Sequence, residues 1–342
     1  MSKTRPSLKD IAKELNISVT TVSFVLNGKG REKKISKEVI ERIEKYIESI
    51  NYKPNPIARS LRTGRSGILV FMVEDISNYF FAKLARIMED LGYKHDYKMI
   101  FCSTENNDRR SKELIHLFRE RQVDGFFLIP SSGIEKEVKN LIRQQVPVVL
   151  FDRYFPGLET NQVMIDNGDA AFSATEHLIN QGYKSPAFIT TDVKQTQMTE
   201  RLEGYEKALK KYGLTPNILK IPFSEIHSAA GKELIATFLS NNPETDSMFF
   251  ATNYLTQSGL EVIKYKFPGW LDSNGVLTFD DNDLFRINTP SITAIAQPLE
   301  EIGKHLMSMM MTLVNSSKPS EVAIQQQCLK AELIQRESTQ RH

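Results

Sequence analysis

With 342 residues, 40% hydrophobic and 25% charged, the chain is long enough for two or three domains with cores of their own and is not a disordered or fibrous polypeptide. No run approaches the roughly 18 apolar residues of a membrane span, and the opening MSKTRPSLKD lacks the apolar core of a secretory signal, so no membrane partner and a cytoplasmic location are expected. The formal charge of +2 is unevenly spread: residues 1–65 hold 15 Lys and Arg against 7 Asp and Glu, the remainder 29 against 35, which puts a footprint for a polyanion at one end.

The stretch from Ser7 to Asn27, SLKDIAKELNISVTTVSFVLN, predicts two short helices around a tight turn. Ser7 is an N-cap, Asp10 can reach back to it, and Leu8, Ile11, Ala12 and Leu15 recur at helical spacing. Asn16 tolerates the left-handed conformation that ends a helix, Ile17 plugs the gap, and Ser18 caps a second helix whose Val22, Val25 and Leu26 face inward. The outward residues Val19, Thr20, Thr21, Ser23 and Phe24 are short enough for the helix to enter a DNA major groove. With Ser7, Ser18 and Asn27 they form the candidate DNA-reading set. The spacing alone also fits any helical hairpin in a bundle.

Gly28 to Ile35, GKGREKKI, is a basic loop suited to a phosphate backbone, and Ser36 caps a third helix with Val39, Ile40, Ile43, Tyr46, Ile47 and Ile50 as its apolar stripe. The following segment, Pro56 to Gly64, has a helix-compatible start and a glycine stop but spans barely two turns, so it needs a partner to form. The order D-I-A-x-x-x-x-x-S-x-x-T-V-S-x-x-L-N, then a third helix, then NYKPNPIARSLRTG, resembles the lactose/galactose repressor (LacI/GalR) family of bacterial transcription regulators, and the resemblance runs over nearly the whole chain. It implies that the short segment is a hinge helix that forms when two subunits meet on operator DNA. Leu61 then stands at the position that wedges into the minor groove, with Asn55, Ala58 and Arg59 as neighbouring contacts.

From Gly67 the pattern becomes alternating strands and helices. GILVFMV, YKMIFCS, VDGFFLI and VPVVLFD read as buried parallel strands separated by amphipathic helices; PAFITT, ILKIPF, SMFFAT and GVLTF form a second series. SITAIAQ, a helix from Pro298 to Val314 and a single final strand, CLKAELIQRES, close the chain. The fold class expected is therefore an all-α helix-turn-helix head plus an α/β body. The resemblance implies that this body is two doubly wound, Rossmann-like subdomains of periplasmic-binding-protein type enclosing a ligand cleft. The divisions expected are 1–54 for the head, 55–65 for the hinge and 66–340 for the body, with subdomains 66–165 plus 292–325 and 166–290 plus 326–340. Cys102 and Cys328 have no metal-ligand spacing and read as reduced structural residues, and Met307 and Met309 to Met311 as core or dimer contacts. No metal or cofactor is expected. No leucine heptad follows the last strand, which favours a homodimer over a tetramer.

Ligands of such sheets gather at the carboxyl ends of strands near topological switch points. The polar and aromatic residues there are Asp75, Asn78, Tyr79 and Phe80; Asp152 and Arg153; Arg201; Asn253 and Tyr254; Asp280 and Asp281; and Gln297. Carboxylates and amides that accept from hydroxyls, guanidinium donors and aromatic faces together suit a sugar. By resemblance Arg201, Asn253 and Asp280 match effector-binding positions of the family, and Asp152-Arg153 its LIDR element, although an Asp-Arg pair at a strand end can also cap a sheet.

The chain departs from the family in two places. PFSEIHSAAG offers Ile226 and His227 where many relatives stack an aromatic on the effector, which leaves a purine, a phosphorylated sugar or a protein co-effector open beside a sugar. Phe24 stands where relatives often carry Arg or His, and it can meet a thymine methyl but not donate to guanine. A fused sugar-processing enzyme is the rival class, yet the chain has no G-x-x-x-x-G-K-[ST], G-x-G-x-x-G, G-x-S-x-G or H-E-x-x-H motif.

Overall fold

The computed structural model describes residues 6–52 and 64–341. The chain divides into two units, Met1–Ser66 and Gly67–His342. The first is helical: α1 spans Leu8–Glu14, α2 Val19–Leu26 and α3 Lys37–Ser49. Ser7 and Asp10 form the expected capping box, Asn16 turns left-handed at φ 52°, and Ser18 and Ser36 cap α2 and α3. Ile11, Ala12, Val22, Val25 and Ile43 make the buried centre, a small core that three short helices close only by sharing it. The expected hinge residues Asn55, Ala58, Arg59 and Leu61 lie outside the described residues.

The second unit carries two six-stranded sheets. β1 (Ile68–Val73), β2 (Lys98–Ser103), β3 (Gly125–Leu128), β4 (Val148–Phe151), β5 (Gln162–Ile165) and β11 (Gln326–Leu329) form the first, ordered β11-β5-β4-β3-β1-β2 and parallel throughout. β6 (Pro186–Thr191), β7 (Asn217–Ile221), β8 (Ser247–Phe250), β9 (Gly275–Phe279), β10 (Thr293–Ala296) and β12 (Glu332–Ile334) form the second, ordered β12-β10-β9-β8-β6-β7, with only β12 antiparallel. Helices cover both faces, as parallel sheets require. α4 (Tyr79–Lys94) and α12 (Leu299–Asn315) pack on one face of the first sheet; α5 (Asp108–Glu120) and α6 (Glu135–Arg143) pack on the other. Alternate residues of β1 divide accordingly, Leu69, Phe71 and Val73 to one core and Val70 and Met72 to the other. On the second sheet α7 (Asn167–Asn180) and α8 (Thr196–Tyr212) share one face, α9 (Ala229–Asn241) and α10 (Asn253–Lys266) the other, and short α11 (Asp283–Ile287) joins the latter core through Phe285.

The crossings between sheets differ from the expected grouping. β10 pairs with β9 and β12 and belongs to the second sheet, not with 292–325 in the first. The closing segment is not one strand: Gln326–Leu329 pairs with β5 in the first sheet, Glu332–Ile334 with β10 in the second, and Lys330-Ala331 is the crossover. Continuous apolar alternation hid this break, because a two-residue step preserves the period of a strand. β5 and α7, between VPVVLFD and PAFITT, are elements that the sequence pattern left unseparated.

Candidate functional site

In the head, the structure distributes the candidate contacts between two jobs. Ser7 is engaged by the capping box: its Oγ donates to Asp10 at 2.8 Å and its N–H donates to the same carboxylate at 2.8 Å. The Asp10 carboxyl is held below its usual range, chiefly by that backbone hydrogen bond. Ser18 Oγ accepts from the Thr21 N–H at 3.0 Å and shares a hydroxyl contact with Thr21 at 2.8 Å. Asn27 Nδ2 donates to the Ser23 carbonyl at 2.6 Å, closing the end of α2. Val19 and Thr20 are exposed at the start of α2, and Phe24, partly buried, lies beneath the Lys33 ammonium at 5.7 Å. An exposed aliphatic, a hydroxyl and a phenyl ring with a cation beside it are groups a major groove can meet through methyls, base edges and phosphates.

In the body, two strand ends converge. Asp152 follows β4 and Asp280 follows β9, both in left-handed backbone at φ 64° and 71°. Around them Glu74, Asn78, Phe80, Phe81, Arg153, Gln197, Met198, Arg201, Thr252, Tyr254 and Gln297 line a cavity of about 30 Å³. That volume holds about two or three waters and no sugar ring. Eight of the expected residues are therefore gathered: Asn78, Phe80, Asp152, Arg153, Arg201, Tyr254, Asp280 and Gln297. Asn253 joins them from the opposite subdomain, its amide exchanging hydrogen bonds with Asn78 at 3.1 and 3.2 Å. Tyr79 lies in an adjoining recess of about 270 Å³ that also touches Phe80, Lys83, Asp280, Arg286 and Gln297.

Asp75 is not among the lining residues. Its carboxylate accepts from the Ser77 N–H at 2.9 Å and from the Ser77 hydroxyl, so it builds the turn before α4. The neighbouring Glu74, which sequence reasoning missed, takes the cleft position at 6% exposure. It receives Arg153 Nη2 and, at 2.6 Å, Asn106 Nδ2; Asn106 in turn accepts from Arg153 Nη1. Arg153 Nε also stands 3.3 Å from Asp152. Burial disfavours the charged Arg153 guanidinium, but Glu74 and Asp152 outweigh it and raise its pKa. Arg201 is held differently: Nε donates to Asn167 Oδ1 at 2.9 Å, Nη1 to the Ala251 carbonyl at 2.7 Å, and the guanidinium carbon sits 3.5 Å over the Phe279 ring.

Burial pushes the Asp152 carboxyl up to about 6 against the opposing pull of Arg153 and Arg201. It likewise raises Asp280, which Arg201 opposes and which accepts from Gln297 Nε2 at 2.6 Å. Asp281 is a tie instead, bidentate with Arg336 at 2.7 and 2.8 Å. Ile226 is core, and His227 is exposed with its ring edge-to-face on Tyr254 at 5.6 Å, so an aromatic does approach the cleft from this segment. Gln197 was missed because it lies in the first turn of α8, which begins at Thr196 with no capping side chain to announce it. Within α8, Gly204 allows close approach to α7: a Cβ there would stand 2.2 Å from the Gly168 carbonyl oxygen.

Residues 66–336 match the periplasmic binding proteins and sugar binding domain of the LacI family, and residues 7–55 match the bacterial regulatory proteins of the lacI family. The chain belongs to the LacI family. It is 30% identical over 337 residues to the HTH-type transcriptional regulator RegA of Clostridium saccharobutylicum, covering 97% of this chain and 99% of that protein. It is 29% identical to the ribose operon repressor of Halalkalibacterium halodurans over 87% of each chain. The lac repressor dimer bound to operator and the anti-inducer ONPF shares the fold at TM-score 0.82 and 17% identity, over 98% of this chain and 99% of that one. This LacI-family chain is accordingly a DNA-binding transcriptional regulator, and its relatives are regulators rather than enzymes. Among the described residues no helix is long and apolar enough to cross a membrane.

Proposed function

We propose that this LacI-family regulator is a cytoplasmic repressor that binds a palindromic operator as a homodimer, and that a carbohydrate entering the body cleft sets its affinity. In this reading residues 1–54 read DNA, residues 55–65 are the hinge and residues 66–340 bind effector and pair the subunits. Val19, Thr20 and Phe24 meet base edges; Ser18, Thr21, Ser23 and Asn27 hold the reading helix and touch backbone, and Ser7, at the cap of α1, touches backbone as well. Asn55, Ala58 and Arg59 contact the groove and the backbone as Leu61 opens the minor groove. The observation that carries the effector reading is the convergence of Asp152, Arg153, Arg201, Asp280 and Gln297, with the Asn78–Asn253 pair bridging the subdomains. A ligand that parts this bridge shifts one subdomain against the other, and DNA affinity follows through the differential stability of the two arrangements.

Two measurements test this. Operator selected from random duplexes is titrated with full-length protein, with and without hits from a thermal-shift screen of sugars, sugar phosphates and purines; a ligand at about 100 times its Kd adds about 2.7 kcal/mol. The expected result is a carbohydrate that changes operator affinity in the wild type and loses its effect in Arg201→Ala. A purine hit instead replaces the effector class, and a regulator insensitive to every small molecule points to a protein co-effector. Leu61→Ala is expected to weaken selected operator more than random DNA; equal losses on both refute the wedge.

A further inference from the structure

We infer that Glu74 acts as a resident anion of the effector cleft, so that the cleft takes an uncharged, hydroxyl-rich ligand and turns away phosphorylated and carboxylated analogues of the same size. This deepens the effector reading above and rests on it. Three carboxylates, Glu74, Asp152 and Asp280, face two guanidiniums, Arg153 and Arg201, in the cavity lining. An arriving phosphate therefore meets net negative charge in a poorly solvated space, where charges act at greater strength than in water.

Neither guanidinium is readily ceded to such a ligand. Arg201 is fixed by Asn167, the Ala251 carbonyl and the Phe279 face. Arg153 is fixed by Glu74, Asn106 and Asp152, and turning it toward a phosphate would strand Glu74 as a buried carboxylate without its cation. Of the two lining atoms without a hydrogen-bond partner, Arg153 Nε has the Asp152 carboxylate 3.3 Å away to answer its charge, and the other points the opposite way. Gln197 is 2% exposed and its Oε1 has no hydrogen-bond partner, so it calls for a donor. A sugar hydroxyl donates to it; a phosphate dianion cannot.

The test uses full-length protein and matched probes: D-ribose with D-ribose 5-phosphate, D-glucose with D-glucose 6-phosphate and with D-gluconate, and cellobiose. Affinities come from calorimetry after a thermal-shift survey. The expected result is that at least one uncharged sugar binds and that its anionic partner binds more weakly by about tenfold or more. In Glu74→Gln, which keeps the shape and a hydrogen-bond acceptor, that gap narrows by about tenfold; in Glu74→Asp, which keeps the charge and checks folding, it persists. An anionic analogue that binds the wild type as tightly as its neutral partner overturns the inference, as does a gap unchanged in Glu74→Gln or a panel with no binder. The two readings fail separately. A sugar phosphate bound by the wild type and lost in Arg201→Ala removes charge exclusion and leaves the cleft as the effector site, whereas a neutral sugar bound equally by Arg201→Ala removes the cleft itself.

Discussion

Asp152 and Asp280 occupy matching places in the two halves of the body: each ends the third strand of its sheet order, each is left-handed, and each has its carboxyl raised by burial. Their arginine neighbours are wired differently. Arg153 is neutralised by carboxylates, Glu74 above all, whereas Arg201 is held by an amide, a carbonyl and an aromatic face. The contrast teaches that one wall stores its polarity in charges that must move together, and the other in neutral contacts that can be broken singly. A ligand rearranging the first wall must rearrange a network; at the second it meets a donor already aimed.

The sharpest way to break this comparison is to remove each arginine in turn. Arg153→Met leaves Glu74 and Asp152 buried without their cation and is expected to cost about 3–5 kcal/mol in denaturant unfolding, while Glu74→Met/Arg153→Met recovers part of that loss. Arg201→Met takes a donor from neutral groups and a cation from near Asp280 and Asp152, with neither of which it forms a direct ion pair, and should cost less, about 2–3 kcal/mol; an equal or larger loss would show that the two walls are not different in kind. The next effect concerns pH. Asp152 titrates in the fold at about 6, above the ordinary carboxyl value, so its stability contribution falls as pH rises toward and through 6. The wild type should therefore gain about 1 kcal/mol between pH 7 and pH 5 relative to Asp152→Asn, a substitution that tolerates the left-handed backbone. The smallest effect is expected at the bridge. Asn78→Ser retains an N-cap acceptor for α4 but cannot reach Asn253, and should lower stability by under ~1 kcal/mol while speeding ligand entry in stopped-flow binding.

Much of this was legible in the sequence, for identifiable reasons. The capping box at Ser7 and Asp10, the left-handed Asn16 and the caps at Ser18 and Ser36 are local chemistry, and the structure reproduces them. The two strand series were legible because buried parallel strands are apolar runs. What escaped depends on partners distant in the chain. Glu74 and Asp75 are adjacent carboxylates, and only the positions of Asn106 and Arg153 decide which faces the cleft. The crossover at Lys330-Ala331 is invisible without β5 and β10 beside it. Gln197 was lost with the uncapped start of its helix, and the hinge residues around Leu61 carry their expectation on resemblance alone.

The crossovers set how the body can move. Chain passes between the sheets after β5, after β10 and after β11, and these passages are laced together: Asp166 N–H donates to the Leu329 carbonyl at 3.0 Å, its carboxylate accepts from Ala331 N–H at 2.8 Å, and β10 pairs with β12 up to Ala296 and Glu332. Three cords sewn side by side behave like a strip of fabric between two boards: it folds readily along one line and resists sliding or twisting. Bending along that line is thereby the least opposed motion of the two sheets, so ligands of quite different shape would report through the same bend.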